Sequence, residues 1–176
     1  MPSNIEIKVR VDTLGDVEAK ASALADHGPE LLIQTDTFFD VQSGRLKLRQ
    51  FADGKSELIA YVRSDSDAAR ESKWSRYRID TGDAASELKE TLAMVVPETV
   101  TVSKRRTLYL IGQTRVHLDA VDGLGEFVEL EVVLKDNQTQ EQGVAIAEDL
   151  IVSLGLQNAE SIAQSYADLL ALTESS

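Results

Sequence analysis

The 176-residue chain contains no cysteine, which excludes a disulfide framework, thiolate chemistry and cysteine-ligated zinc. It has no apolar run approaching the roughly 18 residues of a membrane span, so no transmembrane helix is expected. The N-terminal MPSNIEIK enters a strand-like pattern directly, with no signal-peptide layout, and a cytoplasmic location follows as the expectation. Positive charge is scarce: 18 Lys and Arg stand against 30 Asp and Glu, a net charge of −12. That balance argues against a general nucleic-acid binder, and neither nucleic acid nor membrane is expected as a partner. P-loop, Rossmann and kinase signatures are missing, as are repeats and low-complexity segments. What is present has ordinary globular proportions, 43% hydrophobic and 27% charged, over a length suited to one domain spanning 1–176.

The few basic residues are unevenly placed. Most fall in strand-like stretches, while the acids concentrate in helix-like stretches and turns. In NIEIKVRV, residues 4–11, Ile5, Ile7, Val9 and Val11 occupy one face and Asn4, Glu6, Lys8 and Arg10 the other. GRLKLRQF sets Arg45, Lys47 and Arg49 opposite Leu46, Leu48 and, after a parity shift, Phe51. TRVHLDAV sets Arg115, His117 and Asp119 opposite Val116, Leu118 and Ala120, and EFVELEVV sets Phe127, Glu129 and Glu131 against Val128, Leu130 and Val132. For a single strand a solvated face explains such a pattern best. For several strands together, an inward-facing ionised surface explains it better. Roughly eight hairpin-connected strands interrupted by a few helices predict an α+β fold, an eight-stranded antiparallel barrel with a charged lumen and helices packed outside.

Many Lys and Arg in one enclosed space favour a polyanion, with arginine forks on phosphate oxygens and lysines as point charges. The Glu-x-Glu of residues 129–131 presents two carboxylates on one strand face, about 7 Å apart, suited to oxygen ligation of Mg²⁺ or Mn²⁺. Cations for phosphate plus acids for a divalent metal is the equipment of phosphoryl or nucleotidyl transfer. His117, between Arg115 and Asp119, reads as a positioning or ion-paired residue. The single Trp74 reads as a packing anchor, and Gly123 and Gly125 as hairpin glycines.

In combination these stretches resemble the CYTH family, the triphosphate tunnel metalloenzymes, along essentially the whole chain and in the family's order. NIEIK resembles the opening E-x-E-x-K strand; QTDTFFD, GRLKLRQF, SKRRTLY, RVHLDAVDGLGEFVELEVV and SYADLL resemble the later elements. The resemblance implies one CYTH-like domain over 1–176, including C-terminal helices from about 140. It implies Glu6, Asp119, Glu129 and Glu131 as metal ligands or holders of metal-bound water. Lys8, Arg10, Lys47, Arg49, Arg105 and Arg115 would grip the triphosphate with Arg63 and Lys73 as helpers, and Glu6, Lys8, Arg105 and Asp119 would form the catalytic set. Three departures stand out: Asn4 replaces the first acid, no lysine lies two residues beyond Glu57, and Arg45 occupies the place of a tryptophan found in thiamine-specific relatives.

The expected function is a phosphohydrolase dependent on Mg²⁺ or Mn²⁺, acting on inorganic tripolyphosphate or a nucleoside triphosphate. A class IV-like adenylyl cyclase is the first alternative, and a non-catalytic polyphosphate- or nucleotide-binding module the second. The expected partner is the small-molecule triphosphate, and the chain is expected to be a monomer or homodimer.

Overall fold

The structure, a computed structural model, describes residues 3–63 and 70–174. In chain order the elements are β1 (Ser3–Val11), α1 (Gly15–Leu24), β2 (His27–Phe39), β3 (Arg45–Phe51), β4 (Ser56–Arg63), β5 (Arg70–Ile79), α2 (Gly82–Ala93), β6 (Glu98–Ile111), β7 (Thr114–Val121), β8 (Gly125–Val133), α3 (Gln140–Ser153), β9 (Glu160–Ser161) and α4 (Tyr166–Glu174). Among the described residues the fold is α+β: a curled antiparallel sheet of nine strands in the order β5-β4-β3-β2-β6-β7-β8-β1-β9, with four helices. Where the sequence predicts eight strands closed into a barrel, the architecture observed is this curled sheet. Its margins approach each other, because Ser3–Glu6 of β1 also pairs antiparallel with Arg70–Lys73 of β5. The ninth strand is a two-residue addition to β1. No helix among the described residues is long and apolar enough to cross a membrane.

The strands alternate as their sequences dictate, and the apolar face is turned toward the helices. Val9, Leu118, Val128 and Leu130 are buried against Val17 and Ala21 of α1, which lie one helical turn apart. Ile5 and Val132 pack on Ala147 of α3, and Leu48 and Ile79 pack on Ala85 of α2. Each such Leu, Ile or Val contributes about 1.5–3 kcal/mol when fully buried, so this outer layer fixes the register of the sheet. The N-terminus of α3 is held by a capping box between Thr139 and Gln142. Its Gly143 lets the helix lie directly on β1: a Cβ there would stand 2.7 Å from Ile5 Cγ1.

The ionised faces therefore look inward. At one end the lumen is filled by apolar side chains, with Phe38, Val102, Val121 and Phe127 meeting Ile162 and Tyr166. Tyr166 opens α4, whose first turn is tied by Ser165 Oγ accepting from the Asp168 amide at 3.1 Å. Phe51 corrects one sequence expectation: it shares the inward face with Arg49 and stands directly opposite Gln34 of β2. No parity shift occurs before it.

Candidate active site

On the inner face of β2 and β3, cross-strand partners succeed one another as Phe38–Lys47, Asp36–Arg49 and Gln34–Phe51. Asp36 is the centre of this wall. Only 2% exposed, it accepts a fork from Arg49 Nε and one Nη at 2.7 Å each, and Lys47 Nζ donates to it at 2.8 Å. Lys104 Nζ of β6 lies 3.8 Å from the same carboxylate. Burial alone would raise the Asp36 carboxyl, but Arg49, Lys47 and Lys104 together hold it well below the usual carboxylate range. The cations respond in turn. Burial, then Arg106 and Arg49, pull the Lys104 ammonium well below its ordinary value, and burial and Arg49 pull Lys47 down as well.

The facing wall is built by β1, β7 and β8. Register places Glu6 directly opposite Glu131, Lys8 opposite Glu129, and both Glu131 and Glu129 opposite Arg115 and His117 respectively. Glu131 Oε1 accepts from Asn4 Nδ2 at 2.5 Å and from Arg115 Nη1 at 3.3 Å, while His117 Nε2 stands 3.8 Å from Oε2. Behind these, Arg106 forks Asp119 at 2.7 and 2.6 Å, reaches Glu129 at 3.4 Å, and shares Asp119 with the Tyr166 hydroxyl, which donates at 2.7 Å. Burial raises the Asp119 carboxyl, but Arg106 outweighs it and brings it to about 2. Glu129 is likewise lowered, with Arg106 and Lys8 overcoming its burial. Burial and Arg106 pull His117 down to about 3, so its imidazole is neutral at pH 7.

Lys8 closes the plugged end. Its Nζ donates to the Gln164 carbonyl at 2.7 Å and lies 4.3 Å from the centre of the Tyr166 ring. Arg45 forks Asp168 of α4 at 2.9 and 2.7 Å beside it. Between the two walls lies a cavity of about 190 Å³.

Most residues singled out from the sequence do converge. Glu6, Lys8, Lys47, Arg49, Arg115, Glu129 and Glu131 all line this cavity. Four do not join them. Arg105 is exposed; β6 turns Lys104 and Arg106 inward, and Arg105 shares the outer face with Tyr109, which is buried under α1. Lys73 is also exposed, because the alternation that buries Ile79 outside β5 sends Trp74 and Arg76 inward. Arg10 has the right face but lies beyond the apolar plug, 4.7 Å over the Phe127 ring, where it donates to the Leu124 carbonyl at 2.9 Å and pairs with Glu160. Asp119 is fully buried behind Arg106, and its oxygens accept from the Arg106 guanidinium and the Tyr166 hydroxyl. The side chain of Arg63 lies outside the described residues.

The residues that sequence reasoning missed are Asp36, Lys104, Arg106 and the Glu57–Arg76 pair, 3.1 Å apart on β4 and β5. For β6 the signal was there. Counting back by twos from Tyr109 marks Arg105 as outer and Arg106 as inner.

The donor set for a divalent cation can be weighed on the same geometry. Among the described residues no three His, Cys, Asp or Glu side chains gather into a ready-made cage. Glu6 and Glu131 are nevertheless directly opposed on one inner face, with Glu129 two residues along. Like charges so placed repel, and a hard cation between them removes the repulsion. Mg²⁺ in particular takes one or two carboxylates and completes its shell with water and phosphate oxygens. The residues fit such a cation, with substrate supplying the remaining ligands.

Fold and site together define a curled α+β sheet whose inner face sets a basic wall opposite an acidic one across a single cavity. The CYTH domain profile matches residues 3–166, and the chain belongs to that family. It is similar to adenylate cyclase CyaB from Aeromonas hydrophila, 28% identical over 175 residues that cover 94% of this chain and 87% of the relative. Among solved structures it is similar to the PH1012 protein from Pyrococcus horikoshii OT3, with a TM-score of 0.81, 25% identity, and coverage of 94% of this chain and 98% of the other. HpAC1 from Hippeastrum, described as an adenylyl cyclase candidate with a dominant triphosphatase activity, shares the fold with a TM-score of 0.72 at 14% identity, covering 98% of this chain and 96% of its own.

Proposed function

We propose that the chain is a phosphohydrolase that binds an inorganic or nucleoside triphosphate in its lumen and cleaves the terminal phosphoanhydride. The observation that carries this reading is the charge excess on the β2–β3 wall. Three cations, Lys47, Arg49 and Lys104, surround the single buried carboxylate of Asp36 inside a cavity of phosphate-chain size. Enclosed excess charge of one sign calls for a ligand of the other. Attack of water on the terminal phosphorus breaks its bond to the bridging oxygen, and the electron pair leaves with that oxygen to give orthophosphate and the shortened phosphate. In this class of reaction the protein contributes mostly position and electrostatic stabilisation. Lys47, Arg49 and Lys104 hold the chain of phosphates, and Arg106, Arg115 and Lys8 face it from the other side. Asp36 and Asp119 hold Arg49 and Arg106 in forked pairs inside the lumen, which reduces the side-chain entropy lost when substrate arrives. A bound Mg²⁺ or Mn²⁺, held by Glu6, Glu129 and Glu131, would supply charge neutralisation on the phosphate oxygens. We also take the curled sheet to close over its cargo as a tunnel, with the β1–β5 pairing as the seam.

The Aeromonas relative favours a second reading on the same lumen, in which a ribose 3′-hydroxyl attacks the α-phosphorus and pyrophosphate leaves. One experiment separates the two. Purified protein is incubated with tripolyphosphate or ATP in Mg²⁺ or Mn²⁺, and orthophosphate, pyrophosphate and cyclic AMP are assayed together. Orthophosphate from both substrates is expected. Cyclic AMP with pyrophosphate would install the cyclase reading, and Kd measurement without turnover would mark a binding module. Glu131→Gln should lose turnover while keeping its fold, because its carboxylate charge is what a hard cation needs.

A further inference from the structure

Every Phe, Tyr and Trp ring on the lining of the cavity carries a cation. Lys47 Nζ lies 5.4 Å from the centre of the Phe38 ring and 5.7 Å from that of Tyr61, and the Arg76 guanidinium stands 5.3 Å over Trp74. Tyr166 carries two, Lys8 Nζ at 4.3 Å and Lys104 Nζ at 5.3 Å. The chain has only four Phe, four Tyr and one Trp, so four of them gathered on one lining is a concentration that needs a cause. A buried cation must be stabilised, yet a carboxylate that stabilises it also cancels its charge and competes with any anion. A ring face within about 6 Å attracts an ammonium through its quadrupole, more strongly when both are desolvated, and carries no net charge. It therefore holds the cation and leaves its charge for a ligand. Lys104 shows the need. Its side chain is 4% exposed, and the Asp36 oxygen 3.8 Å from its Nζ is beyond hydrogen-bond reach and already accepts from Lys47 and Arg49.

Tyr166 ties the C-terminal helix to this arrangement. It is 6% exposed at the first position of α4, and its ring centre lies 5.0 Å from that of Phe127, with the two planes at 60°. Its hydroxyl donates to Asp119 at 2.7 Å, and Asp119 accepts the Arg106 fork. One side chain thus reaches Lys8 and Lys104 directly and Arg106 through one carboxylate. We propose that Tyr166 is a positioning residue of the anion site, its ring face holding Lys8 and Lys104 toward the lumen without neutralising them; the inference rests on the phosphate reading of that cavity. The residue divides by atom. The hydroxyl serves the fold, as a donor to a buried carboxylate, and the ring serves the ligand. Helix α4 is then part of the site as well as its stopper. The Arg45–Asp168 fork and the hydrogen bonds between Ser165 and Asp168, which seat the helix, also hold the ring against the two lysines.

The test reads ring charge apart from ring shape. Kd values for tripolyphosphate are measured by titration calorimetry in EDTA, with thermal melts beside them, for the wild-type protein and three variants. Tyr166→Phe keeps the ring and loses the hydroxyl. It should melt below wild type, because Asp119 has lost a donor, and hold the Kd within threefold. Tyr166→pentafluorophenylalanine has nearly the same outline as Tyr166→Phe, with the quadrupole of the ring reversed. Its Kd should stand at least fivefold above that of Tyr166→Phe, at a similar melting temperature. Ile162→Ala loosens the same plug without removing a ring from a lysine, so it should lower the melting temperature and leave the Kd within twofold of wild type. Equal Kd values for the two ring variants overturn the proposal, since the ring then acts through packing alone. So does a fivefold loss already present in Tyr166→Phe, which would assign the effect to the hydroxyl, or a matching loss in Ile162→Ala. Each of these outcomes leaves the phosphate grip standing. Failure of the wild-type protein to bind tripolyphosphate brings down the phosphate reading itself, and this role of Tyr166 with it.

Discussion

The two walls of the lumen solve the burial of charge in opposite ways. Across β2, β3 and β6, one carboxylate, Asp36, serves three cations. Across β1, β7 and β8, acids predominate: Glu6, Asp119, Glu129 and Glu131 meet Lys8, Arg106 and Arg115. The walls even share a device. Arg49 forks Asp36 and Arg106 forks Asp119, each across a strand pair and each 13 residues from its partner. The environment decides what each fork does. Arg49 is one of several cations around its acid and can turn to a ligand without stranding Asp36. Arg106 is the chief counterion of an acid whose other partners are the neutral Tyr166 hydroxyl and the more weakly acting charge of Lys104.

The largest expected effect breaks the matched fork. Arg106→Ala leaves Asp119 ionised and fully buried without its counterion, a loss typically of about 3–5 kcal/mol. Urea unfolding should show that loss in full, and a loss below about 1 kcal/mol would mean the two forks are equivalent. Arg49→Ala should behave differently. Lys47 still holds Asp36 and Lys104 stays close, so the empty protein is expected to lose less than about 1 kcal/mol while tripolyphosphate affinity falls on the order of 30-fold, about 2 kcal/mol. Paired melts and titrations of the two variants test the contrast directly. A large stability loss in Arg49→Ala with unchanged affinity would make that arginine structural.

How much of this was legible follows from periodicity. The inward faces of β1, β3, β7 and β8 were readable because apolar and polar or ionised residues alternate along most of each strand, with inward Phe51 and Phe127 as the apolar interruptions. β6 was not read correctly. SKRRT offers basic residues at three consecutive positions, and only the parity anchored by Tyr109 separates Arg106 from Arg105. Asp36 was hidden for another reason. It sits in QTDTFFD among residues buried on both faces, Thr37 and Phe39 outside and Phe38 inside, so no alternation marks it. Its partners are defined by register between β2 and β3, which the sequence does not print. The plug and the place of Arg10 beyond it depend on where α4 docks, again a long-range fact. Asp119 carried the expected face, but that its oxygens already accept from Arg106 and Tyr166 is a long-range fact no spacing prints.

A smaller effect sharpens the comparison through pH. His117 faces Glu131 and Glu129 with Arg106 and Lys104 close by, and burial followed by Arg106 sets its pKa at about 3 against an ordinary 6.5. Below the ordinary value the unfolded chain takes up a proton that the folded one refuses, so this contribution to stability is complete above about pH 6.5 and declines as pH falls toward 3. The limiting slope is about 1.4 kcal/mol per pH unit. Asp119 and Glu129 are depressed in the fold, and their contributions begin to fall only near the ordinary carboxylate values, so the histidine is best read between about pH 6.5 and 5. His117→Asn should flatten the dependence of unfolding free energy in that interval. An unchanged slope would mean that the imidazole is protonated against the acidic wall in the native state.

The smallest expected effect is the sharpest control on which face of β6 looks inward. Arg105 and Arg106 are neighbours in sequence, equal in charge and in size, and differ in the side of one strand on which they stand. Arg105 is exposed on the helix-bearing face. Substitutions at such exposed positions usually change stability by less than about 0.5 kcal/mol. Its charge also lies on the far side of the sheet from any phosphate, and salt screens exposed charges beyond a Debye length of about 8 Å. Arg105→Ala should therefore leave the melting temperature and the tripolyphosphate Kd within error and twofold of wild type, beside the large stability loss of Arg106→Ala. A deep loss of affinity in Arg105→Ala would place that side chain in the lumen. The register between β6 and β7 would then be displaced by one residue, and with it the pairing of Arg106 with Asp119 on which the acidic wall is built.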